Sequence, residues 1–264
     1  MDWNEELLKN NLAGKLIGHK LYYYPETGST NDEAYRLGME GAPEGTVIIA
    51  DSQTKGKGRM QRVWHSPAGS NIYTSILLRP HLKSTAAPQI SLVAGVAVAE
   101  LLEQYCPGRV TLKWPNDVLL NERKVCGILA QMKTMAEEVD FVVVGIGLNV
   151  NIHRNEFPEE LRNLATSLSA EAGREISRQD LIISLYENLA KWYKKLLQDG
   201  FAAVKEKWLS LAPMIGRNVQ VMFLQETVTG KALGIDGQGA LLVLTTKGEK
   251  ISVSAGDATI LKKG

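Results

Sequence analysis

Apolar and polar positions divide the chain into a long segment of mixed helices and strands and a short segment of strands alone. In the long segment, strands are predicted at residues 16–24, 46–50, 71–78, 110–113, 117–120, 125–132 and 139–144. Helices are predicted at residues 31–39, 87–105, 166–172 and 178–199. A polar turn at 121–124 allows 125–132 to pair with 139–144, and Ser177 is the expected N-cap of the last helix.

The pattern changes near Pro213, where turns begin to recur at short, regular spacing. Glycine-containing turns are predicted at residues 216–217, 229–230, 236–239 and 247–248. The runs between them, such as 218–224 and 240–245, have strand length, which is typical of a small β-barrel. We therefore expect an α+β domain over residues 1–212 and a barrel over residues 213–264.

Composition limits the classes of function. The chain has 264 residues, 44% of them hydrophobic, and a formal net charge of +1, so no general affinity for nucleic acid is expected. Two cysteines, Cys106 and Cys126, are too few for a disulfide framework and fit a reducing compartment. The first ten residues are too polar for a signal peptide, and the apolar stretches look too short to cross a bilayer. A cytoplasmic protein without membrane contact is expected.

A basic loop is the first candidate for chemistry. Residues 55–62 (KGKGRMQR) alternate four cations with glycines, so backbone N–H groups and guanidinium together could surround phosphate oxygens. A solvated loop or a nucleic-acid patch would have the same composition. The loop is not a Walker A motif, because no Gly-Lys-Ser/Thr follows.

Three further segments carry polar groups or glycines where a ligand could bind. Residues 113–117 (KWPND) gather a lysine, an amide and a carboxylate, which suits a nucleotide or a metal-bound phosphate. Lys124 enters a buried strand and could be a point charge on a pocket floor, although most such lysines are merely solvated. Gly145 and Gly147 follow the strand 139–144; Val150 occupies the third-glycine position, so we reject a dinucleotide fingerprint and expect close approach of a ligand.

Residues 28–31 (GSTN) precede the helix 31–39. Thr30 and Glu33 have the spacing of a capping box, so taken alone the hydroxyl groups of this segment are interpreted as helix caps.

Taken together and in order, these motifs resemble those of biotin–protein ligases, and the similarity covers the chain from about Leu21 onwards. The motifs are residues 28–31 (GSTN), Gln53, residues 56–59 (GKGR), Trp64, and residues 113–117 (KWPND), 124–129 (KVCGIL) and 145–149 (GIGLN). The resemblance implies a catalytic domain like that of class II aminoacyl-tRNA synthetases, with a mixed sheet and helices, followed by an SH3-like β-barrel. It also implies that biotin and ATP form biotinoyl-5′-AMP, from which a lysine of a biotin carboxyl carrier domain takes the biotinoyl group.

The resemblance also implies roles for individual residues. Lys124 and Arg59 are the expected catalytic cations, because biotin carboxylate and α-phosphate are both anions. The residues expected to bind biotin are Ser29, Thr30, Asn31, Gln53, Lys57, Gly58, Arg59, Lys124, Gly127 and Gly147. Those expected to bind the nucleotide are Arg59, Trp64, Lys113, Asn116 and Asn149, with Asp117 as a candidate ligand of Mg²⁺.

The sequence departs from the family in two places. Lys57, Met60 and Gln61 replace two arginines and a glycine of the usual basic loop. The residues before the catalytic core are too few for the helix-turn-helix domain of bifunctional members, so specific DNA binding is not expected. A homodimer is expected through the strands at 141–144 and 125–132. The alternatives are a lipoate or octanoate ligase, whose typical loop is missing, and a biotin sensor that does not transfer.

Overall fold

Two β-sheets organise the chain. The structure, a computed structural model, describes residues 3–86, 88–223 and 226–261. The strands of the larger sheet are β1 Lys20–Thr27, β2 Thr46–Gln53, β3 Ile72–Leu78, β4 Val110–Lys113, β5 Asp117–Leu120, β6 Arg123–Met135 and β7 Glu138–Leu148. Their order is β1-β2-β3-β7-β6-β5-β4; β1 and β2 are parallel and every other pair is antiparallel. The predicted mixed sheet is thereby confirmed.

Within the described residues, six α-helices accompany the larger sheet. They are α1 Glu5–Leu12, α2 Thr30–Met39, α3 Pro88–Glu103, α4 Leu168–Ala172, α5 Arg178–Asp199 and α6 Ala202–Ser210. Helix α2 packs on β2, β3 and β7, while α3 packs on β4–β7 and against α5. Ser177 caps α5 as predicted, since its side chain accepts a hydrogen bond from the Asp180 N–H.

Helix α3 is the core helix of this domain and is buried on nearly every face. Residues 84–103 are long and apolar enough to cross a membrane by length and composition alone, but 76% of their most apolar 18-residue stretch is buried inside the fold. The segment thus has the length and composition, but not the exposure, of a membrane span. Its burial, rather than its length, is what identifies a core helix.

Several predicted boundaries need correction. Helices α1 and α6 were not predicted, and β1 begins four residues later than predicted and continues past the predicted end at residue 24 to Thr27. Strand β7 continues through Gly145 and Gly147 to Leu148, so these glycines lie inside a strand rather than after it. Ala87, Leu224 and residues 262–264, which the predictions included, lie outside the described residues.

The expected dimer edge also needs correction. Strands β6 and β7 lie in the middle of the sheet rather than at its edge. However, within β6 only Arg123–Gly127 pair with β5, so within the described strands the second half of β6 is paired on one side alone.

The five remaining described strands form the predicted small antiparallel domain. They are β8 Asn218–Phe223, β9 Glu226–Ile235, β10 Leu241–Thr245, β11 Lys250–Val253 and β12 Asp257–Ile260, in the order β11-β10-β9-β8-β12. Two side chains of the larger domain hold the loop between β9 and β10 of the small domain. Gln89 donates to the carbonyl of Gly237 at 2.8 Å, and the Trp114 indole donates to that of Gly239 at 3.1 Å. These contacts place the small domain against the site described next.

Candidate active site

A cavity of about 510 Å³ lies where the large sheet, the basic loop, the segment 157–165 and the small domain meet. Every residue to which the resemblance gave a catalytic, biotin-binding, nucleotide-binding or metal-binding role lines it. They are Ser29, Thr30, Asn31, Gln53, Lys57, Gly58, Arg59, Trp64, Lys113, Asn116, Asp117, Lys124, Gly127, Gly147 and Asn149. The fold therefore brings the separate motifs to one place.

A chain of polar side chains lies at the start of α2. The Thr30 N–H and hydroxyl both donate to Gln53 Oε1, at 2.9 and 3.2 Å. Gln53 Nε2 donates to Ser66 Oγ at 3.0 Å, and the hydroxyl oxygens of Thr30 and buried Ser75 lie 2.8 Å apart. Because the backbone N–H can only donate, it fixes which end of the Gln53 amide faces Thr30. One Gln53 N–H and one Thr30 lone pair remain available for a ligand.

The segment 28–31 does not form the predicted capping box. Ser29 is the N-cap residue of α2, but its side chain makes no capping hydrogen bond. Ser29 and Thr30 are each 3% exposed, so their hydroxyl groups lie under the cavity surface. The Thr30 hydroxyl therefore bonds to Gln53 in the polar chain instead of capping the helix.

Asn31 bonds to the protein with both ends of its amide. Its Nδ2 donates to the Leu129 carbonyl at 3.2 Å and to Gln131 Oε1 at 2.9 Å, and its Oδ1 accepts from Ser75 at 2.7 Å. Both N–H donors are therefore used. In this arrangement Asn31 ties α2 to β6 and β3 and has no donor left for a ligand.

Glycines of the sheet make room for Trp64. A Cβ on Gly147 would lie 2.4 Å from Trp64 Nε1, and one on Gly127 would lie 2.8 Å from Trp64 Cζ3. A Cβ on Gly145 would lie 1.9 Å from Asn31 Oδ1. The close approach predicted for Gly145 and Gly147 is thus made by side chains of the protein itself. The indole Nε1 of Trp64 is buried and has no hydrogen-bond partner in the described residues.

Lys124 points into the cavity beside Asp117. Its Nζ lies 2.7 Å from Asp117 Oδ1, close enough for an ion pair, although the pair is not aligned as a hydrogen bond. The ammonium also lies 5.3 Å from the centre of a Trp64 ring, within range of a cation–π interaction. The register between β5 and β6 shifts here, because Val118 faces Cys126 whereas Leu119 faces Lys124. Such a bulge redirects the side chains that flank it.

Arg59 reaches from the basic loop to the small domain. Its Nη1 donates to the carbonyl of Gly256 at 3.1 Å, to Asp257 Oδ1 at 3.2 Å and to Asn116 Oδ1 at 3.4 Å. Burial lowers the pKa of Arg59 below its ordinary value, and the carboxylates of Asp257 and Asp117 oppose that shift. No motif in the sequence indicated Asp257.

The basic loop has more partners than its composition suggested. The Lys57 ammonium forms an ion pair with Asp32 at 2.6 Å, and the Lys57 backbone forms an isolated β-bridge with Val63. Arg62 Nη2 lies 2.5 Å from Asp257 Oδ2. These ion pairs tie the basic loop to α2 and to the small domain. Met60 and Gln61 have φ angles of 52° and 61°, a left-handed conformation that favours glycine.

The remaining polar residues are held by the backbone around them. Asn116 Nδ2 donates to the Ile128 carbonyl at 2.6 Å, and buried Asn149 donates through Nδ2 to the carbonyl of Thr166 at 3.1 Å. Lys113 lies opposite Asp117 in the β4–β5 pair. No group of three or more His, Cys, Asp or Glu that could hold a metal occurs in the described part of the chain. The carboxylates that line the cavity are those of Asp117, Glu122 and Asp257.

The cavity rim contains residues that no motif predicted. The segment before α4 contributes apolar side chains, and the small domain contributes residues from β8 and β12. These rim residues are Phe157, Leu161, Leu164, Ala165, Gln220, Met222, Asp257, Ala258 and Thr259.

Comparison with known proteins gives matches along most of the chain. Residues 23–149 match the Biotin/lipoate A/B protein ligase family, and residues 214–260 match the Biotin protein ligase C terminal domain. The Bifunctional ligase/repressor BirA of Bacillus subtilis is 41% identical over 252 residues, which are 96% of this chain and 78% of that protein. The Biotin--[acetyl-CoA-carboxylase] ligase of Paracoccus denitrificans is 33% identical over 87% of this chain and 96% of its own.

A solved structure shows the same fold. The biotin protein ligase from Aquifex aeolicus in complex with biotin and ATP superposes with a TM-score of 0.78 and 32% identity. The match covers 92% of this chain and 99% of the other.

Proposed function

This chain belongs to the biotin protein ligase family, and we propose from that premise how its cavity works. The protein is an ATP-dependent ligase that activates biotin to biotinoyl-5′-AMP and transfers biotin to a lysine of a biotin carboxyl carrier protein. The observation that carries the proposal is that Lys124 and Arg59 line the same cavity as the polar chain of Thr30 and Gln53. We assign residues 1–212 to the catalytic domain and residues 213–264 to an SH3-like barrel.

The polar chain is the proposed site of the ureido ring. Biotin's head group offers one carbonyl acceptor and two N–H donors. The free Gln53 N–H can donate to that carbonyl, while Ser29 and Thr30 oxygens can accept from the ring N–H groups. Trp64 and Ile128 supply apolar surface for the thioether ring and the valeryl chain. Asn31, whose amide bonds to β6 and Ser75, holds the start of α2 rather than the ligand.

The two cations are the proposed catalytic residues. Attack of the biotin carboxylate on the α-phosphate brings two anions together, and Lys124 and Arg59 reduce that repulsion and stabilise charge on the transferred phosphoryl group. Lys57 and Gly58 precede Arg59 in the basic loop, and the Gly58 N–H donates to the Arg62 carbonyl at 2.7 Å, which shapes the turn that carries Arg59. No nucleophile from the protein is required, since the substrate carboxylate attacks directly and pyrophosphate leaves.

The nucleotide side of the site is the proposed role of Trp64, Lys113, Asn116 and Asn149. Arg59 donates to Asn116, so the residue proposed to bind the base or ribose lies beside the cation proposed to bind the phosphate. Asp117 fits one carboxylate ligand of Mg²⁺, which usually keeps waters and substrate phosphates as its other ligands. Bound there, the cation would neutralise the leaving pyrophosphate.

The other two activities are less well supported. The named relatives act on biotin, and the described cavity holds both cations that activation needs. A sensor without transfer activity would need neither. A lipoate or octanoate ligase would transfer those acids to a carrier, which the assay below tests directly.

The test is one incubation of the protein with ATP, Mg²⁺, biotin and a carrier domain, followed by intact mass measurement of the carrier. We expect one biotinoyl group to be added, and no addition without ATP or with a carrier whose target lysine is arginine. Parallel reactions with lipoate and octanoate should leave the carrier unchanged. Pyrophosphate release without any transfer, or transfer of lipoate in preference to biotin, would contradict the proposal.

Assembly, DNA binding and a cytoplasmic location stay predictions. We propose a homodimer through the second half of β6, where backbone groups on one side lack a strand partner within the described residues. A monomeric mass at all concentrations, with and without biotin and ATP, would contradict it. Sequence-specific DNA binding is not expected, and a footprint that persists at physiological salt would refute that.

A further inference from the structure

Glu171 in α4 has a buried carboxylate that the proposed reaction does not use. Its side chain is 6% exposed. The carboxylate accepts hydrogen bonds from Asn121 Nδ2 at 2.6 Å, Arg123 Nη2 at 2.5 Å and Thr166 Oγ1 at 2.7 Å. A carboxylate removed from water remains charged only when donors such as these replace its hydration. Glu171 does not line the cavity.

The donors to Glu171 lie on the two segments that hold Lys124. Asn121 and Arg123 belong to the turn that leads directly into Lys124. On the other side, the Lys124 N–H donates to the Leu164 carbonyl at 2.8 Å, and the Thr166 N–H donates to the Lys124 carbonyl at 2.9 Å. Glu171 therefore joins, through one buried carboxylate, the turn before Lys124 and the segment that clamps its backbone.

We propose that Glu171 is a positioning residue for Lys124. The inference rests on the proposed function, because it assumes that Lys124 acts in biotin activation. The register shift between β5 and β6 leaves Val125, directly after Lys124, without a partner in β5. The Glu171 contacts supply a further constraint beside this irregularity, so that the ammonium stays beside Asp117 and faces the cavity. A displacement of a reacting group by about 1 Å can cost ~10²-fold in rate.

A purely structural role for Glu171 predicts a different result. The segment that it anchors also holds Asn149, whose Nδ2 donates to the Thr166 carbonyl. General loosening of this segment would weaken ATP binding through Asn149 and lower stability, whether or not Lys124 is present. Loss of Lys124 placement alone would lower the rate of adenylate formation and leave the KM for ATP nearly unchanged.

The test is a double-mutant cycle between Glu171 and Lys124. Glu171→Gln keeps the shape but replaces one acceptor oxygen with a donor that faces three other donors. We expect it to slow single-turnover formation of biotinoyl-AMP ~10–100-fold, with the KM for ATP changed less than ~3-fold. In the Lys124→Met background the same substitution should change the rate by less than ~2-fold. Equal slowing in both backgrounds, or no slowing in either, would overturn the inference.

Controls separate folding and the parent activity from positioning. Glu100→Gln alters another partly buried carboxylate, which accepts from Lys191 and Trp192 outside the cavity, and should leave the rate unchanged. If Glu171→Gln does not fold, Thr166→Val removes a single donor hydroxyl and should give a smaller loss that also vanishes with Lys124→Met. If the parent protein fails to biotinylate the carrier, the proposed function fails; if the parent works and the cycle is additive, the positioning role alone fails.

Discussion

Replacing Lys124 with methionine tests the centre of the proposed mechanism. Methionine keeps an unbranched side chain of similar reach and removes only the charge. In the structure that charge lies 2.7 Å from Asp117 Oδ1, and the two side chains are 34% and 19% exposed. The substitution therefore removes a cation from a partly closed cavity and leaves one carboxylate without its partner.

The expected losses in rate and in stability differ enough to be separated. A well-placed electrostatic donor to a reacting oxygen is typically worth ~3–4 kcal/mol, which corresponds to ~10²–10³ in rate. The ion pair with Asp117 is about one-third exposed, so solvent screens it and its loss should cost about 1 kcal/mol of folding free energy or less. The variant should therefore remain folded while adenylate formation falls by at least a hundredfold.

The assay is pyrophosphate release at saturating biotin and ATP, with urea unfolding measured on the same preparations. Lys15→Met is a matched control, because Lys15 also pairs with a carboxylate, Glu187, but at an exposed surface outside the cavity. It should release pyrophosphate at the parent rate. Near-normal release by Lys124→Met would remove Lys124 from the reaction. A loss that follows unfolding would show that the charge serves the fold.

Three further outcomes are expected. Arg59→Gly should form adenylate more slowly, because one of the two catalytic cations is lost, and should also release it, so free biotinoyl-AMP appears in the filtrate and bystander lysines become labelled; full retention of the adenylate would contradict this. Gly147→Ala would place a methyl group 2.4 Å from Trp64 Nε1, and such overpacking should cost ~1–3 kcal/mol in urea unfolding; an unchanged midpoint would contradict it. Partial burial raises the pKa of Asp236, but hydrogen bonds from Ser252 and from backbone N–H groups lower it by more than burial raises it. The net effect is a lowered pKa. The Asp236 carboxylate therefore stabilises the barrel above the unfolded pKa of about 4, and this contribution fades as pH falls through the lower folded value. Asp236→Asn should flatten the acid branch of the stability curve, and an unchanged acid branch would refute the reasoning.

Local signals were sufficient wherever a segment had both a pattern and a boundary. Strands β4 and β5 lie where they were predicted, because Trp114–Asn116 and the turn after Leu120 mark their ends. Helix α5 was predicted to the residue, since Ser177 begins it and Gly200 ends it. These elements are fixed by their own residues.

Elements that depend on distant partners were missed or mislocated. Helix α6 buries only Val204 and Trp208, which is too few apolar positions to give a helical period. The glycines of β7 indicated a loop because glycine is a poor strand residue. In the fold, Gly145 and Gly147 leave space for Asn31 and Trp64, which no local pattern reveals.

The candidate site shows the same division. Several of its motif residues converge because they lie at the ends of predictable elements, such as Thr30 at the start of α2, Gln53 at the end of β2 and Lys113 at the end of β4. Asp257 could not be predicted, since its partner Arg59 lies 198 residues earlier and an isolated aspartate has no local signature. Glu171 was missed for the same reason, because its donors come from another turn and strand.

The ion pairs of the two proposed catalytic cations suggest how a site rich in positive charge is compatible with a stable fold. Each proposed catalytic cation lies beside a protein carboxylate: Lys124 beside Asp117, and Arg59 beside Asp257. The side chains of both pairs are partly exposed, 22% and 24% in the Arg59 pair. Such pairs hold the cations in place at low net energy, because water screens much of their attraction. The anionic groups of biotin and ATP can therefore replace Asp117 and Asp257 as partners of these cations at a small cost in free energy. When water is excluded, the interactions of the cations with the reacting oxygens become stronger.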